Sequence, residues 1–277
     1  MLRPEGRSSR LFCVCGSGGD ASDFSDLAFA LPDGHGVYAF SASSVTSRKE
    51  FVTVQQLAST YVAEICKLQP HRPFVLCGYS FGGIVVYEMA RRLVSDGKPV
   101  GLVALIDTLH PGFTRNLSAT ELNQYRASYT RNRLAKYARN LATGRIDKLL
   151  QDLRDLARGQ VRKFVTTASQ PTFDRLMALL PEGQYVSELL QIRAWHKYEP
   201  GGYAGRLMLL NAAARTPEYA DPTLGWGKCV TGSIESHILP GDHISIMHAP
   251  RVAMVAERIK EHLGGGEDLG GGESGRV

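Results

Sequence analysis

The chain has 277 residues, 43% of them hydrophobic and 21% charged, with a formal net charge of +5. That suits one globular domain of ordinary composition, long enough to bury a large core. No apolar run approaches the roughly 18 residues of a membrane span. The five scattered cysteines show no metal-ligand spacing, and Met1 to Arg10 lack an apolar signal core, so a cytoplasmic protein without a membrane anchor is expected.

Leu11–Cys15 reads as a strand with a glycine-rich exit, Gly16-Ser17-Gly18-Gly19. Cys13 and Cys15 are read as facing opposite ways on it, sharing neither a metal nor a disulfide. Cys66, Cys77 and Cys229 read as small buried apolar residues. Val37–Phe40 is a second short strand. Over Thr53–Lys67, apolar residues at Val54, Leu57, Ala58, Tyr61, Val62 and Ile65 step by three and four, which predicts one helical face. Phe74–Cys77 is a strand, and Phe81–Leu93 a largely apolar, buried helix. Gly101–Ile106 is a continuous apolar strand of the kind buried on both faces of a parallel sheet, and Asp107 follows it.

The pattern then changes. From about Ser118 to Trp195 there is no strand signal; helices are expected over 118–142, 145–165, 172–180 and 184–196. Strands resume at Leu207–Ala212 and Ser236–Leu239, and a last helix is expected over Pro250–Leu263. The tail 264–277 carries two Gly-Gly-Gly runs and reads as disordered. Residues 114–166 hold twelve Arg/Lys against four Asp/Glu. This is either a solvated helical face or a docking surface for an acidic partner. No nucleic-acid-binding motif accompanies the charge, so a nucleic-acid partner is not expected.

Strands alternating with helices imply an α/β fold, a mostly parallel sheet covered by helices. Ligand sites in such sheets lie at the carboxyl ends of strands. Gly78-Tyr79-Ser80-Phe81-Gly82 sits at one such end, between a strand and a helix. It reads as a nucleophile elbow, whose turn is too sharp for a Cβ two residues either side of the serine. A serine hydroxyl needs a base, and the base needs an acid to fix its tautomer. In α/β-hydrolases the chain order is Ser, acid, His. Here Asp107 ends the next strand, and His243 lies in the loop Pro240-Gly241-Asp242-His243 after the last one. Glu218 and Asp221 are rival acids, and His248 is the rival base. The oxyanion donors expected by position are the backbone N–H groups of Phe81 and of Ser17, with Gly18 as the alternative.

These residues resemble a known family. Leu76-Cys77-Gly78-Tyr79-Ser80-Phe81-Gly82-Gly83 followed by Tyr87-Glu88-Met89-Ala90, Leu105-Ile106-Asp107-Thr108, Tyr198-Glu199-Pro200 before Tyr203-Ala204-Gly205, Leu224-Gly225-Trp226, and Pro240-Gly241-Asp242-His243 are similar to the thioesterase domains of polyketide synthases and nonribosomal peptide synthetases. Cys15-Gly16-Ser17 stands where that family often has His or Pro. The resemblance covers roughly residues 10–263. It implies an α/β-hydrolase domain over 10–263 with a helical lid inserted at about 113–196. It implies that Ser80, Asp107 and His243 release an acyl, polyketide or peptide chain from the phosphopantetheine arm of an acyl or peptidyl carrier protein. Release goes through an acyl-serine, by hydrolysis or cyclisation. Tyr79, beside the nucleophile, is assigned to substrate binding. No cofactor or metal is implied, since phosphopantetheine comes with the carrier. A terminal chain-releasing domain and a carboxylesterase on free esters both fit the elbow; stand-alone editing thioesterases, the alternative, often read G-H-S-M-G there, from which Tyr79 and Phe81 depart. A catalytically silent carrier-binding module does not explain why Ser80, Asp107 and His243 are all intact.

Overall fold

Six short runs of apolar residues pair side by side. They are β1 (Arg10–Val14), β2 (Gly36–Phe40), β3 (Phe74–Tyr79), β4 (Val100–Ile106), β5 (Leu207–Ala212) and β6 (Ile234–Leu239), in the spatial order β2-β1-β3-β4-β5-β6. The structure is a computed structural model that describes residues 1–3, 10–41, 52–70, 73–113, 117–124, 127, 138, 159–214 and 221–263. His71, Glu218, most of the basic segment 114–166 and the Gly-rich tail 264–277 lie outside the described residues. All five strand pairings are parallel, with Cys13 opposite Cys77, Cys77 opposite Ala104 and Ala104 opposite Met208.

Strand side chains alternate between two cores, as a period of two requires. Phe12, Val14, Leu76, Val103, Leu105, Leu207 and Leu209 face one core, under α2 (Val54–Leu68) and α3 (Phe81–Ser95). Leu11, Cys13, Val75, Cys77, Leu102, Ala104, Ile106, Met208 and Leu210 face the other, under α1 (Ser25–Ala30) and α6 (Val252–Lys260). Covering on both faces is why the central strands read as unbroken apolar runs. Each fully buried Val, Leu or Ile contributes about 1.5–3 kcal/mol. Edge strand β6 differs, its Glu235 and His237 partly exposed and paired with each other at 2.6 Å. That polar edge explains why its start at Ile234 is two residues earlier than the apolar pattern suggests.

The cysteine reading needs correction. Residues two apart on a strand share a face, so Cys13 and Cys15 lie in the same core layer, with Cys77 beside them. All five cysteines are free; Cys77 is buried, while Cys66 and Cys229 are only partly so. Burial comes first among the causes that push the Cys13 thiol far above its usual range, so it behaves as an apolar residue.

The helix ends follow local chemistry. At α2, Gln56 N–H donates to Thr53 Oγ1 at 3.2 Å and Thr53 N–H donates to Gln56 Oε1 at 2.8 Å, a reciprocal cap. Between β4 and β5 the described residues are mainly helical. They include 119–124, 159–167, α4 (Gln170–Leu179) and α5 (Gln184–Lys197), the last two close to expectation. Val165, Phe173, Met177, Val186, Leu189 and Leu190 form a separate small core there. Helix α5 ties it to the sheet, because its Ala194 belongs to the core under α2 and α3. Buried Arg193 braces the joint. Its Nη1 donates to the carbonyls of Val165 at 2.6 Å and Ala168 at 3.1 Å, and its guanidinium lies 4.2 Å from the Phe173 ring centroid. A cation at the carboxyl end of helix 159–167 complements that end's orphan carbonyls.

Candidate active site

Strand β3 turns into α3 at one residue. Ser80 has φ 55° and ψ −118°, a conformation that a non-glycine residue adopts only under strain. The surroundings hold it there. A Cβ at Gly78 would collide with the Gly82 carbonyl and Gly83, and one at Gly82 with the Val14 carbonyl. Ser80 N–H donates to the Ile106 carbonyl at 2.9 Å, and the Ser80 carbonyl accepts from Thr108 Oγ1 at 3.0 Å. Thr108 has room because residue 83 is glycine; a Cβ there would run into its side chain.

Asp107, at the end of β4, also has a positive φ, 45°, and is 1% exposed. Both carboxylate oxygens are occupied. Oδ1 accepts from the Ala212 N–H at 3.1 Å, and Oδ2 lies 2.5 Å from His243 Nδ1. A carboxylate acceptor at Nδ1 puts the proton on that nitrogen and leaves Nε2 as the basic one. The loop carrying His243 is built by Asp242, whose Oδ1 accepts from the N–H groups of Ile244 at 3.0 Å and Ser245 at 2.9 Å. Those donors, the Ser245 N–H first, hold the Asp242 carboxyl below the usual carboxylate range.

The rivals are engaged elsewhere. Asp221 accepts from Thr223 N–H, Thr223 Oγ1 and Gly225 N–H within its own turn. His248 Nδ1 lies 3.4 Å from Asp26 Oδ2 on α1. Glu218 is outside the described residues.

A cavity of about 700 Å³ opens on this edge of the sheet. Ser17, Tyr79, Ser80, Phe81, Asp107 and His243 line one side; Arg162, Lys163, Gln184, Glu188 and Trp195, from the helical segment, line the other. Phe81 is the first residue of α3, so its N–H has no intrahelical acceptor. Of the two expected donors on the β1 exit, Gly18 N–H is taken by Gln191 Oε1 at 3.0 Å. Ser17 N–H makes no hydrogen bond among the described residues. Tyr79 lines the cavity, yet its hydroxyl donates to the His243 carbonyl at 2.6 Å. Asp23 also faces the cavity, its carboxyl raised by burial first and by the charge of Asp20 second. Among the described residues no group of three or more His, Cys, Asp or Glu is placed to hold a metal, and no helix is long and apolar enough to cross a membrane.

The roles of Thr108, Gln184 and Gln191 at this site were not foreseen from the sequence, although Thr108 lies in a quoted motif. Their contacts join segments far apart in the chain, and only the Asp107-Thr108 pairing within the quoted motif could have drawn attention to one of them.

Comparison with known proteins fits this geometry. Residues 9–263 match the family model of the thioesterase domain. A non-reducing polyketide synthase of Pseudevernia furfuracea is 27% identical over 259 residues, 92% of this chain and 12% of that protein. A nonribosomal peptide synthetase of Aspergillus terreus, btyA, is 28% identical over 184 residues, 66% of this chain and 19% of that protein. The chain therefore spans less than a fifth of the length of either relative. Among solved structures, the NocB thioesterase domain in covalent complex with a fluorophosphonate nocardicin G analogue superposes with a TM-score of 0.61 at 21% identity, covering 94% of this chain and 96% of that one. The RedJ thioesterase of prodiginine biosynthesis in Streptomyces coelicolor gives 0.59 at 20% identity, covering 92% and 86%. At such identities the likeness is one of fold.

Proposed function

The chain belongs to the thioesterase-domain family, and from that premise we propose that it releases an acyl, polyketide or peptide chain from the phosphopantetheine arm of a carrier protein, with Ser80 as nucleophile. The observation that supports this most is the Asp107–His243 contact of 2.5 Å beside the strained Ser80 turn, all three lining one cavity.

In this mechanism His243 Nε2 takes the Ser80 proton as Oγ attacks the thioester carbonyl. The carbonyl oxygen becomes an oxyanion, which the N–H groups of Phe81 and Ser17 receive; such donors each contribute on the order of 100-fold or more in rate. The tetrahedral intermediate collapses, the C–S bond breaks, and the pantetheine sulfur leaves with the proton held by His243. Water, or a hydroxyl or amine of the chain itself, then attacks the acyl-serine with His243 as base. Buried Asp107 stabilises the imidazolium in both halves. The helical segment between β4 and β5 acts as a lid over the cavity. The large relatives are a polyketide synthase and a nonribosomal peptide synthetase, which supports a carrier-bound substrate.

The test uses an acyl-phosphopantetheinyl carrier protein and a fluorophosphonate probe. Wild-type protein is expected to release the acyl group and to be labelled at Ser80. Ser80→Ala is expected to do neither while keeping its fold, because loss of the nucleophile removes the covalent route. Substantial turnover by Ser80→Ala would remove the proposed mechanism. Fast turnover of simple esters beside negligible release from the carrier would replace the substrate class.

A further inference from the structure

The turn bearing Ser17 is clamped from outside by one helix. Gly19 N–H donates to the Gly16 carbonyl at 3.0 Å, closing a four-residue turn over Gly16-Ser17-Gly18-Gly19. Gly18 sits third in it with φ +68°, while Ser17 is not among the positive-φ residues. That is the type II arrangement, which favours glycine at the third position. Ser17 N–H and the Gly16 carbonyl belong to one peptide plane and point in opposite directions. The bond from Gly19 to the Gly16 carbonyl therefore sets the direction of the Ser17 N–H.

Helix α5 holds the turn through both polar groups of Gly18. Gly18 N–H donates to Gln191 Oε1 at 3.0 Å, and the Gly18 carbonyl accepts from Gln184 Nε2. Gln191 is 1% exposed and is itself oriented, its Nε2 donating to Ser187 Oγ at 3.0 Å. Ser187 is buried and one helical turn away. The Gly18 carbonyl and the Gly19 N–H share one peptide plane, so the bond from Gln184 also fixes the N–H that orients the Gly16–Ser17 peptide. Releasing the Gly18 N–H from Gln191, so that the turn can shift as a unit, breaks a buried hydrogen bond and strands both partners, a cost of about 1–3 kcal/mol per unsatisfied group.

We propose that Gln191, assisted by Gln184, is a positioning residue of the oxyanion hole: it locks the turn that aims the Ser17 N–H, and so makes the hole dependent on the seating of helix α5. The same helix carries Val186, Leu189 and Leu190 into the small core of the inserted segment. Displacement of that segment pulls on Gly18 directly. The catalytic edge is then fully formed only when the cover is seated, which ties acylation to closure.

The inference rests on the reading of Ser80 as nucleophile and Ser17 N–H as oxyanion donor, and the experiment separates the two. A short acyl thioester serves as substrate, and a trifluoromethyl ketone of the same chain as the tetrahedral mimic. The unreactive methyl ketone reports ground-state binding. Gln191→Leu keeps the bulk and removes the acceptor. It is expected to lower kcat by about 10- to 100-fold, less than or comparable to deleting an oxyanion donor, with KM within about threefold. Trifluoromethyl ketone affinity falls by the same factor as kcat/KM, and methyl ketone affinity does not change. Gln191→Glu keeps an acceptor oxygen for Gly18 N–H and is expected to recover most of kcat at neutral pH. If Gln191→Leu does not fold, exposed Gln184→Ala carries the test, with a smaller loss of about three- to tenfold. A folded Gln191→Leu with unchanged kcat, or equal losses for both ketones, overturns the inference while Ser80→Ala remains inactive. An active Ser80→Ala overturns the underlying reading and the inference with it.

Discussion

Tyr79 is stacked on His243, with ring centroids 4.9 Å apart and planes inclined by 27°, and its hydroxyl donates to the His243 carbonyl at 2.6 Å. The residue before Ser80 therefore holds the loop that carries His243, the proposed base. Tyr79→Phe keeps the stacking and loses one hydrogen bond, a net loss of about 0.5–1.5 kcal/mol. It should lower kcat by about two- to tenfold with little change in KM. Tyr79→Ala should lose considerably more. Steady-state kinetics on one short thioester decides the matter: a dominant rise in KM for Tyr79→Phe would make the hydroxyl a substrate contact instead.

Asp107→Asn should reduce kcat by about 10³–10⁴-fold. The Ala212 N–H requires an acceptor, so the amide oxygen faces Ala212 and the NH₂ faces His243. His243 must then present an unprotonated Nδ1 and carry its proton on Nε2, where it cannot act as base. Asp221→Asn should leave kcat within a few-fold, since that carboxylate serves its own turn. The idea is lost if Asp221→Asn is the crippled variant.

Much of this site was legible in the chain because its signals are local or ordered. Ser80 is announced by glycines two residues away within a strand-to-helix switch, and those glycines are needed because Cβ atoms there meet backbone. Asp107 and His243 are expected from the Ser, acid, His chain order, and the structure sets them 2.5 Å apart. Gln191 was not legible, because its partner Gly18 is 173 positions away and glutamine at a helix position carries no pattern of its own. The hydroxyl bond of Tyr79 was missed for the same reason, spanning 164 positions. The Cys13 and Cys15 error has another source, a strand period applied as if neighbours two apart alternate.

Gly83→Ala and Thr108→Ala should be coupled. Thr108 Oγ1 lies against Gly83 and bonds the Ser80 carbonyl at 3.0 Å. Gly83→Ala alone overpacks the site and should destabilise by about 1–3 kcal/mol. The double variant should be less destabilised than the sum of the singles by at least about 0.5 kcal/mol. Urea denaturation of all four proteins gives the number, and strict additivity would show that the two side chains do not compete for one space.

Asp242 should give the protein a pH-dependent contribution to stability. Its folded pKa lies below the unfolded value, because Ser245 N–H and then other donors favour the ionised form. A depressed carboxyl contributes fully above the unfolded pKa, about 3.9, and its contribution disappears as pH falls through the folded pKa. The Tm gap between wild type and Asp242→Ala should therefore be constant from pH 7 to about pH 5 and close progressively below about pH 4. Asp242→Ala should also lower kcat at pH 7, because the loop presenting His243 loses two backbone hydrogen bonds. A Tm gap that widens on acidification would contradict the assignment.

Arg162 and Lys163 line the same cavity but are differently engaged. Arg162 pairs with Glu188 on α5, whereas the exposed Lys163 ammonium has no carboxylate partner among the described residues. They end the basic stretch 114–166, whose Arg131, Arg133 and Lys136 lie outside the described residues. An acidic carrier protein approaching this rim would meet Lys163 as a free positive charge. Such charges act mainly on association rate and are screened beyond about 8–10 Å at physiological ionic strength. Lys163→Glu should therefore lower kcat/KM for a carrier-bound acyl chain by about three- to tenfold at low salt, and the loss should shrink as salt rises. A short acyl thioester without a carrier should be turned over within about twofold of wild type, since a rim charge makes little contribution of its own. Reversing Arg131, Arg133 and Lys136 together should behave likewise. Equal losses on both substrates would place Lys163 against the acyl chain, and no loss on either would leave the basic stretch as a solvated surface.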